Sequence, residues 1–327
     1  MKHFTLTTAL ALVLALPALA QDKPGEGVTI RPVASPIAEE LFQARIVYKG
    51  LEALGYTIEP QQVEIQTAHL AVGTGDADFY TAHWELLHEA FFQESGGDEV
   101  LERVGPFVEG MVQAYLVDKK SYDAGVKNLG DLKDPAIAAK FDADGDGKAD
   151  LAGCVPGWGC ERVIETHLDA LGLRDTVSHN QGAYPAMIGD AMARKDNGGS
   201  ILYYTWVPYW VAGELVPGKD AEWLSVPEGT PLPDGATANT EFNGKNLGFA
   251  VDSIRVVARN DFLEANPAAR ALFEAAKIDI NDVSAEALRI SKGEDKPEDL
   301  QRHADEWIAA HQADYDSWLA AARAAAK

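Results

Sequence analysis

Three tryptophans stand at positions that suit recognition as well as packing: Trp84 ends a strand-like segment, Trp158 lies inside Cys154-Val-Pro-Gly-Trp-Gly-Cys160, and Trp206 lies within Tyr203-Tyr-Thr-Trp-Val-Pro-Tyr-Trp210. A lone tryptophan more often fills a core. Three at loop positions of two different parts of the chain suggest aromatic faces converging on a cleft. A quaternary ammonium has no N–H to donate, so a protein grips it with ring quadrupoles while burying its methyl groups, each contact contributing ~0.5 to 2 kcal/mol. Gly159 and Cys160 run into the helical Glu161-Arg-Val-Ile-Glu-Thr-His-Leu168. Their amides are therefore expected at a helix N-terminus, where free N–H groups bind carboxylates. His88, four residues after Trp84, adds a candidate donor to the same carboxylate; its ordinary alternative is a capped surface histidine. Cation and anion sites together suit a zwitterion. Trp307 and Trp318 fall in a C-terminal helical pattern that reads as core, and Trp223 has no distinguishing context.

Other constellations are weaker. Asp142-Ala-Asp144-Gly-Asp146-Gly-Lys-Ala-Asp150 matches several ligand positions of an EF-hand-type loop, but Gly153 stands where the bidentate glutamate belongs. Asp142, Asp144, Asp146 and Asp150 are thus a candidate set for structural calcium or an acidic solvated turn. His83 and His88 flank Trp84-Glu-Leu-Leu87, yet the i,i+5 spacing keeps them off one helix face and excludes the zinc-protease reading. The sequence holds no G-x-S-x-G elbow, no phosphate loop of the G-x-x-x-x-G-K-[ST] type and no dinucleotide fingerprint. Cys154 and Cys160 are the only thiols. In an exported chain a close pair reads as a disulfide rather than a metal or redox site, since a metal needs further ligands nearby. So short a loop stabilises little globally and serves better to hold Trp158 in one pose.

The 327 residues carry 28 Lys+Arg against 51 Asp+Glu, a net charge of −23, which repels polyphosphate backbones and anionic membrane surfaces. With 46% hydrophobic residues the chain suits one large or two medium globular domains. Lys2, an apolar stretch over 6–16 and Pro17-Ala-Leu-Ala20 form a secretory leader cut after Ala20, too short to span a bilayer. No later segment is long and apolar enough to span either. The mature chain is expected in an oxidising compartment, most simply the bacterial periplasm. Segments 28–33, 63–65, 77–84, 107–117, 200–206 and 249–258 read as strands. Ser35-Pro36 marks the start of a helix continuing to Gly55, and further helices are expected over 160–171, 184–194, 267–277 and 296–325. This βαβ rhythm predicts an α/β fold with a substantially parallel sheet and a ligand cleft between domains.

The residues that carry a family resemblance are Ser35-Pro-Ile-Ala-Glu-Glu40, Gly157-Trp-Gly-Cys160, His179-Asn-Gln-Gly182 and Tyr203-Tyr-Thr-Trp206. Through them the chain resembles, over essentially its whole mature length, the periplasmic glycine betaine and proline betaine binding component of osmoprotective ABC importers, the ProX type. The resemblance implies a two-lobe type II periplasmic binding protein. It implies a box of Trp84, Trp158 and Trp206 around the trimethylammonium group, carboxylate contacts from the His88 side chain and the Gly159 and Cys160 amides, and a Cys154–Cys160 disulfide. It also implies membrane permease and ATPase partners, and neither catalysis nor a cofactor. The lobes are expected to comprise residues 21–119 with 246–327, and residues 120–245, joined near 118–121 and 240–248. One departure is that Trp84-Glu-Leu-Leu-His88 lacks the family's proline between the box tryptophan and the histidine and places Glu85 beside the box. Glu85 is expected either to face solvent or to shift preference toward more cationic ligands. Binders of choline, carnitine or ectoine are the near alternatives, and a secreted hydrolase using two unrecognised carboxylates is the remote one.

Overall fold

The computed structural model describes residues 22–326; the leader expected at 1–20 lies outside the described residues. A nine-stranded sheet organises them. From one edge its strands are Gln61–Gln62, Pro32–Ala34, Phe79–Trp84, Asp252–Arg259, Leu101–Asp118, Leu202–Val207, Ala149–Ala152 and Val177–Asn180, with Ala221–Trp223 added beside the end of Leu101–Asp118. Both flanks are parallel, as the βαβ rhythm predicts. The centre is antiparallel, because Asp252–Arg259 runs between Phe79–Trp84 and Leu101–Asp118 as the chain returns from the second half.

The 18-residue strand Leu101–Asp118 ties the halves together. Its first part, up to Met111, pairs with Asp252–Arg259; from Val112 onward it pairs with Leu202–Val207. The chain therefore changes sheet partner within one continuous strand, just after Gly110, whose φ of 81° side chains disfavour. The segment 107–117 was the legible apolar part of it.

Helix Ala38–Ala53 covers the first half, burying Phe42, Ile46, Val47 and Leu51. It starts two residues after the Ser35-Pro36 signal, because the Ser35 hydroxyl accepts the Ile37 amide at 3.2 Å and donates to the Glu40 carboxylate instead of capping at Pro36. Helices Ile280–Ser291 and Pro297–Ala310 pack on it, and Gln312–Ala325 packs on Pro267–Ala275, so the C-terminal segments return to the first half as expected. The long helix expected over 296–325 is two helices broken at His311. One contiguous apolar core crosses both halves, and a smaller one lies under helix Ile65–Thr74. No helix among the described residues is long and apolar enough to cross a membrane.

Candidate functional site

The ends of these strands converge on a narrow chamber with a cavity volume of about 30 Å³, far below the ~300–1,000 Å³ of open small-ligand sites, so its walls must part to admit a ligand. Trp84, Trp158, Trp206, His88, Gly159 and Cys160 all line it, together with Ile37, Glu40, Ile65, Leu87, Gln113 and Tyr204. The six residues read from the sequence thus share one chamber, with contributions from both halves of the sheet.

Each aromatic is held by its element. Trp84 ends the wholly buried strand Phe79–Trp84 and pairs with Ile254 across the ladder. Trp206 lies on the strand Leu202–Val207 opposite Gln113, with its ring stacked on Tyr209 at 4.1 Å and tilted against Tyr184 at 4.9 Å. Trp158 immediately precedes helix Gly159–Ala170, edge-on to Trp206 at 5.7 Å and stacked on Tyr184 at 6.4 Å. Cys154 and Cys160 are joined by a disulfide that closes the Trp158 loop. Within the loop Gly157 adopts φ 84°, and its amide donates to Glu161 Oε2 at 2.7 Å. The cation–aromatic contacts among the described residues involve Phe92 and Tyr122, and none of these residues' Lys or Arg side chains sits on the three indole faces.

The anion side is equally built. Among the described residues the amides of Gly159 and Cys160, the first two of a 12-residue helix, find no acceptor within the chain. Helix and chamber-lining turn meet closely: a methyl group placed on Gly159 would lie 2.7 Å from the Leu87 carbonyl oxygen. His88 Nδ1 accepts the Trp84 amide at 3.2 Å, which puts the proton of a neutral ring on Nε2. Burial, with the neighbouring His69 adding to it, holds the His88 pKa well below the ordinary histidine range, so at neutral pH the ring is an uncharged N–H donor.

His88 belongs to a buried trio. His69 Nδ1–H donates to the Ile65 carbonyl at 2.8 Å, and His69 Nε2 accepts from His83 Nδ1 at 2.9 Å. Ring nitrogens of all three lie within 4.8 Å of one another. As a metal site the trio is poorly disposed, because the lone pairs of His69 Nε2 and His88 Nδ1 are already accepting N–H groups.

Glu85 does not line the chamber, and its side chain is 29% exposed. Its Oε2 accepts from Arg255 Nε at 2.5 Å and from the Ser253 hydroxyl at 3.0 Å. The turn that lacks the proline is thus held from the neighbouring strand. The principal holder is Asp252, which the sequence did not single out. Its carboxylate accepts the amides of Leu86 at 3.0 Å, Leu87 at 2.9 Å and Ser253 at 2.7 Å. Desolvation pushes its pKa up to about 6 despite those donors. Asp252→Ala strands three amides and is expected to cost about 2 kcal/mol or more of stability, with Asp252→Asn costing less because one acceptor oxygen remains. Urea unfolding checks this; an unchanged midpoint for the alanine variant would refute it.

The His179-Asn-Gln-Gly182 run supports the disulfide loop. His179 Nε2 accepts the Cys154 amide at 3.0 Å while Nδ1 donates to Glu165 at 2.5 Å, and Gln181 donates to Glu161 at 2.7 Å. In the acidic loop, Asp142, Asp144 and Asp146 bring carboxylate oxygens within 4.8 Å of one another. Asp150 does not join them: its oxygens accept from the Ala143 amide at 2.5 Å and Asn180 Nδ2 at 2.8 Å.

Residues 28–310 match the family model described as the substrate binding domain of ABC-type glycine betaine transport systems. The chain is 46% identical over its full length to the glycine betaine-binding periplasmic protein OusX of Dickeya dadantii, covering 98% of that protein. It is 44% identical to the glycine betaine/proline betaine-binding periplasmic protein of Escherichia coli, covering all of both chains. Among solved structures, lactococcal OpuAC in its closed conformation complexed with glycine betaine superposes with a TM-score of 0.69 at 19% identity, covering 89% of this chain and 99% of that one. A choline-binding protein of an ABC transporter in complex with choline gives 0.71 at 16% identity, covering 91% and 98%. At such identities these two establish the fold, a two-lobe type II periplasmic binding protein. With sequence match, fold and chamber in accord, the chain belongs to the family of substrate-binding domains of ABC-type glycine betaine transport systems.

Proposed function

We propose that this protein, freed of residues 1–20, captures glycine betaine or proline betaine in the periplasm and presents it unchanged to a membrane permease driven by an ATPase. The observation that carries the reading is the meeting of three indoles, one neutral histidine and two unpaired helix-terminal amides around a single chamber. The indoles Trp84, Trp158 and Trp206 take the ammonium head; His88 Nε2–H and the Gly159 and Cys160 amides take the carboxylate. Closure turns about two strand segments: the partner change at Met111–Val112, and the return through 249–251 into Asp252–Arg259. On this reading the lobes divide inside the long strand, a little before the 118–121 crossing expected from the sequence.

Titration with glycine betaine followed by tryptophan fluorescence is expected to saturate at one ligand per chain, with the ligand recovered intact by mass spectrometry. Any accumulating product would instead support a hydrolase. His88→Ala is expected to weaken glycine betaine binding about tenfold, the ~1.4 kcal/mol of one hydrogen bond to a charged acceptor. The same variant should leave choline binding nearly unchanged, because choline has no carboxylate. Equal effects on both ligands would remove the carboxylate role from His88.

A further inference from the structure

Glu39 and Glu40 occupy the first turn of helix Ala38–Ala53, where the helix dipole favours acids, yet both are buried, at 4% and 6% exposure. Glu40 forms part of the chamber wall alongside the three tryptophans. Its Oε2 accepts from the Ser35 hydroxyl and from Tyr80 OH at 3.0 Å, while Glu39 Oε1 is buried with no partner. Burying a carboxylate is costly unless a cation accompanies it. Among the described residues no Lys or Arg pairs with either. The groups facing them from the packed elements supply no compensating charge. Glu286 on helix Ile280–Ser291 is acidic and bonded to His303 of the next helix. Tyr80 and Tyr48 are neutral phenols, and Tyr209 lies within the electrostatic reach of Glu39. His69 packs edge-on against Tyr80 at 5.2 Å and His88 shares the chamber, both kept uncharged by burial. Arg45, further along the helix, gives its guanidinium to Gln301.

We propose that the missing positive charge is the ligand's own: the Glu39–Glu40 pair is the counter-charge for the quaternary ammonium in the tryptophan box, making Glu40 a specificity-determining residue. This rests on the betaine reading above and deepens it. A trimethylammonium group donates no hydrogen bond, which fits an oxygen already saturated by Ser35 and Tyr80 and acting through space. Indole faces alone hold a neutral tert-butyl group and a trimethylammonium with modest discrimination; a nearby carboxylate adds the charge selectivity.

Without ligand, burial pushes Glu40 up to about 7 and Glu39 up to about 8, so near neutrality the pair holds a proton. A cation favours the ionised form, so binding expels that proton and affinity rises with pH until the pair is ionised in the free protein. Full linkage of one proton corresponds to about a tenfold change per pH unit below the free-state value.

Three measurements on the mature protein test this. Calorimetry of glycine betaine binding from pH 5.5 to 8.5 is expected to show affinity rising about tenfold or more, with proton release visible as a dependence on buffer ionisation enthalpy. Glu40→Gln is expected to flatten that profile and to raise the Kd at pH 8. The third compares glycine betaine with 3,3-dimethylbutanoate, which has the same shape with carbon in place of nitrogen; the preference for betaine should fall about tenfold in Glu40→Gln. Equal weakening of both ligands would mean Glu40 merely shapes the box and would overturn the proposal, as would an unchanged pH profile in a folded Glu40→Gln. A wild-type protein that binds no betaine at any pH would instead overturn the functional reading itself.

Discussion

Glycine betaine affinity is expected to fall at least about a hundredfold, ~2.7 kcal/mol, when Gly159 is replaced by alanine, with the thermal midpoint unchanged or slightly raised. The first half follows from the close approach of the two lobes. The added methyl would sit 2.7 Å from the Leu87 carbonyl oxygen, 2.8 Å from Leu87 Cγ and 3.3 Å from His88 Cδ2. Two of these are tighter than van der Waals contact allows, and the oxygen belongs to backbone tied to Asp252 through the Leu86 and Leu87 amides, so it cannot swing aside. Relief comes only by moving the start of helix Gly159–Ala170 away from the Trp84–His88 turn. That parts the two amides from the histidine whose ligand they are proposed to share, and hydrogen bonds weaken steeply with such displacement. The second half follows because Gly159 lacks the positive φ that would penalise a side chain, and alanine is the better helix former by about 1 kcal/mol in a helix interior and less at its first residue. Calorimetric titration and a thermal melt on the same sample separate the two effects. Retained affinity would mean that the lobes close on ligand with more space at this seam than in the present structure.

How much of this site the chain announces locally depends on how each residue acts. Trp84, Trp158 and Trp206 were legible because a large aromatic beside a glycine-rich loop or at a strand end is conspicuous against a periodic background. Gly159 and Cys160 were legible because the helix they open has clear periodicity, and its free amides follow from helix geometry alone. Asp252 was not, since its role depends on the antiparallel register that sets it against a turn about 165 residues earlier. The same holds for Glu40: an acid in a helix first turn is ordinary dipole chemistry, and only tertiary burial sets this one apart. The change of sheet partner within Leu101–Asp118 left no signal, because the strand pattern runs through it unbroken while the polar stretch after Asp118 is more conspicuous. The parallel flanks were readable from helices between strands; the antiparallel centre was not, because it pairs segments far apart in the chain.

Trp158→Ala is expected to weaken glycine betaine binding by about 2–4 kcal/mol, roughly thirty- to thousandfold, combining a lost cation–π contact of ~0.5–2 kcal/mol with lost burial of ligand methyl groups at ~0.8 kcal/mol per carbon. Trp158 is the cleanest of the three to remove. Trp206 packs against Tyr184, Tyr204, Tyr209 and Trp158, with centroids between 4.1 and 5.9 Å, and Trp84 lies in a fully buried strand, so losing either damages the core as well as the site. Trp158 projects from a loop held independently by the disulfide, by Glu161 bonding Gly157 and by His179 bonding Cys154. Its backbone frame should therefore survive truncation, and the stability change should be smaller than the affinity change. Trp158→Phe keeps a ring with a weaker quadrupole and less area, so an intermediate loss of about three- to tenfold is expected. That graded order, tryptophan above phenylalanine above alanine, is what an electrostatic grip on a methylated cation requires. If phenylalanine and alanine were equally poor while stability held, shape alone would account for the site; if alanine bound as well as tryptophan, the ammonium would not be resting on this ring.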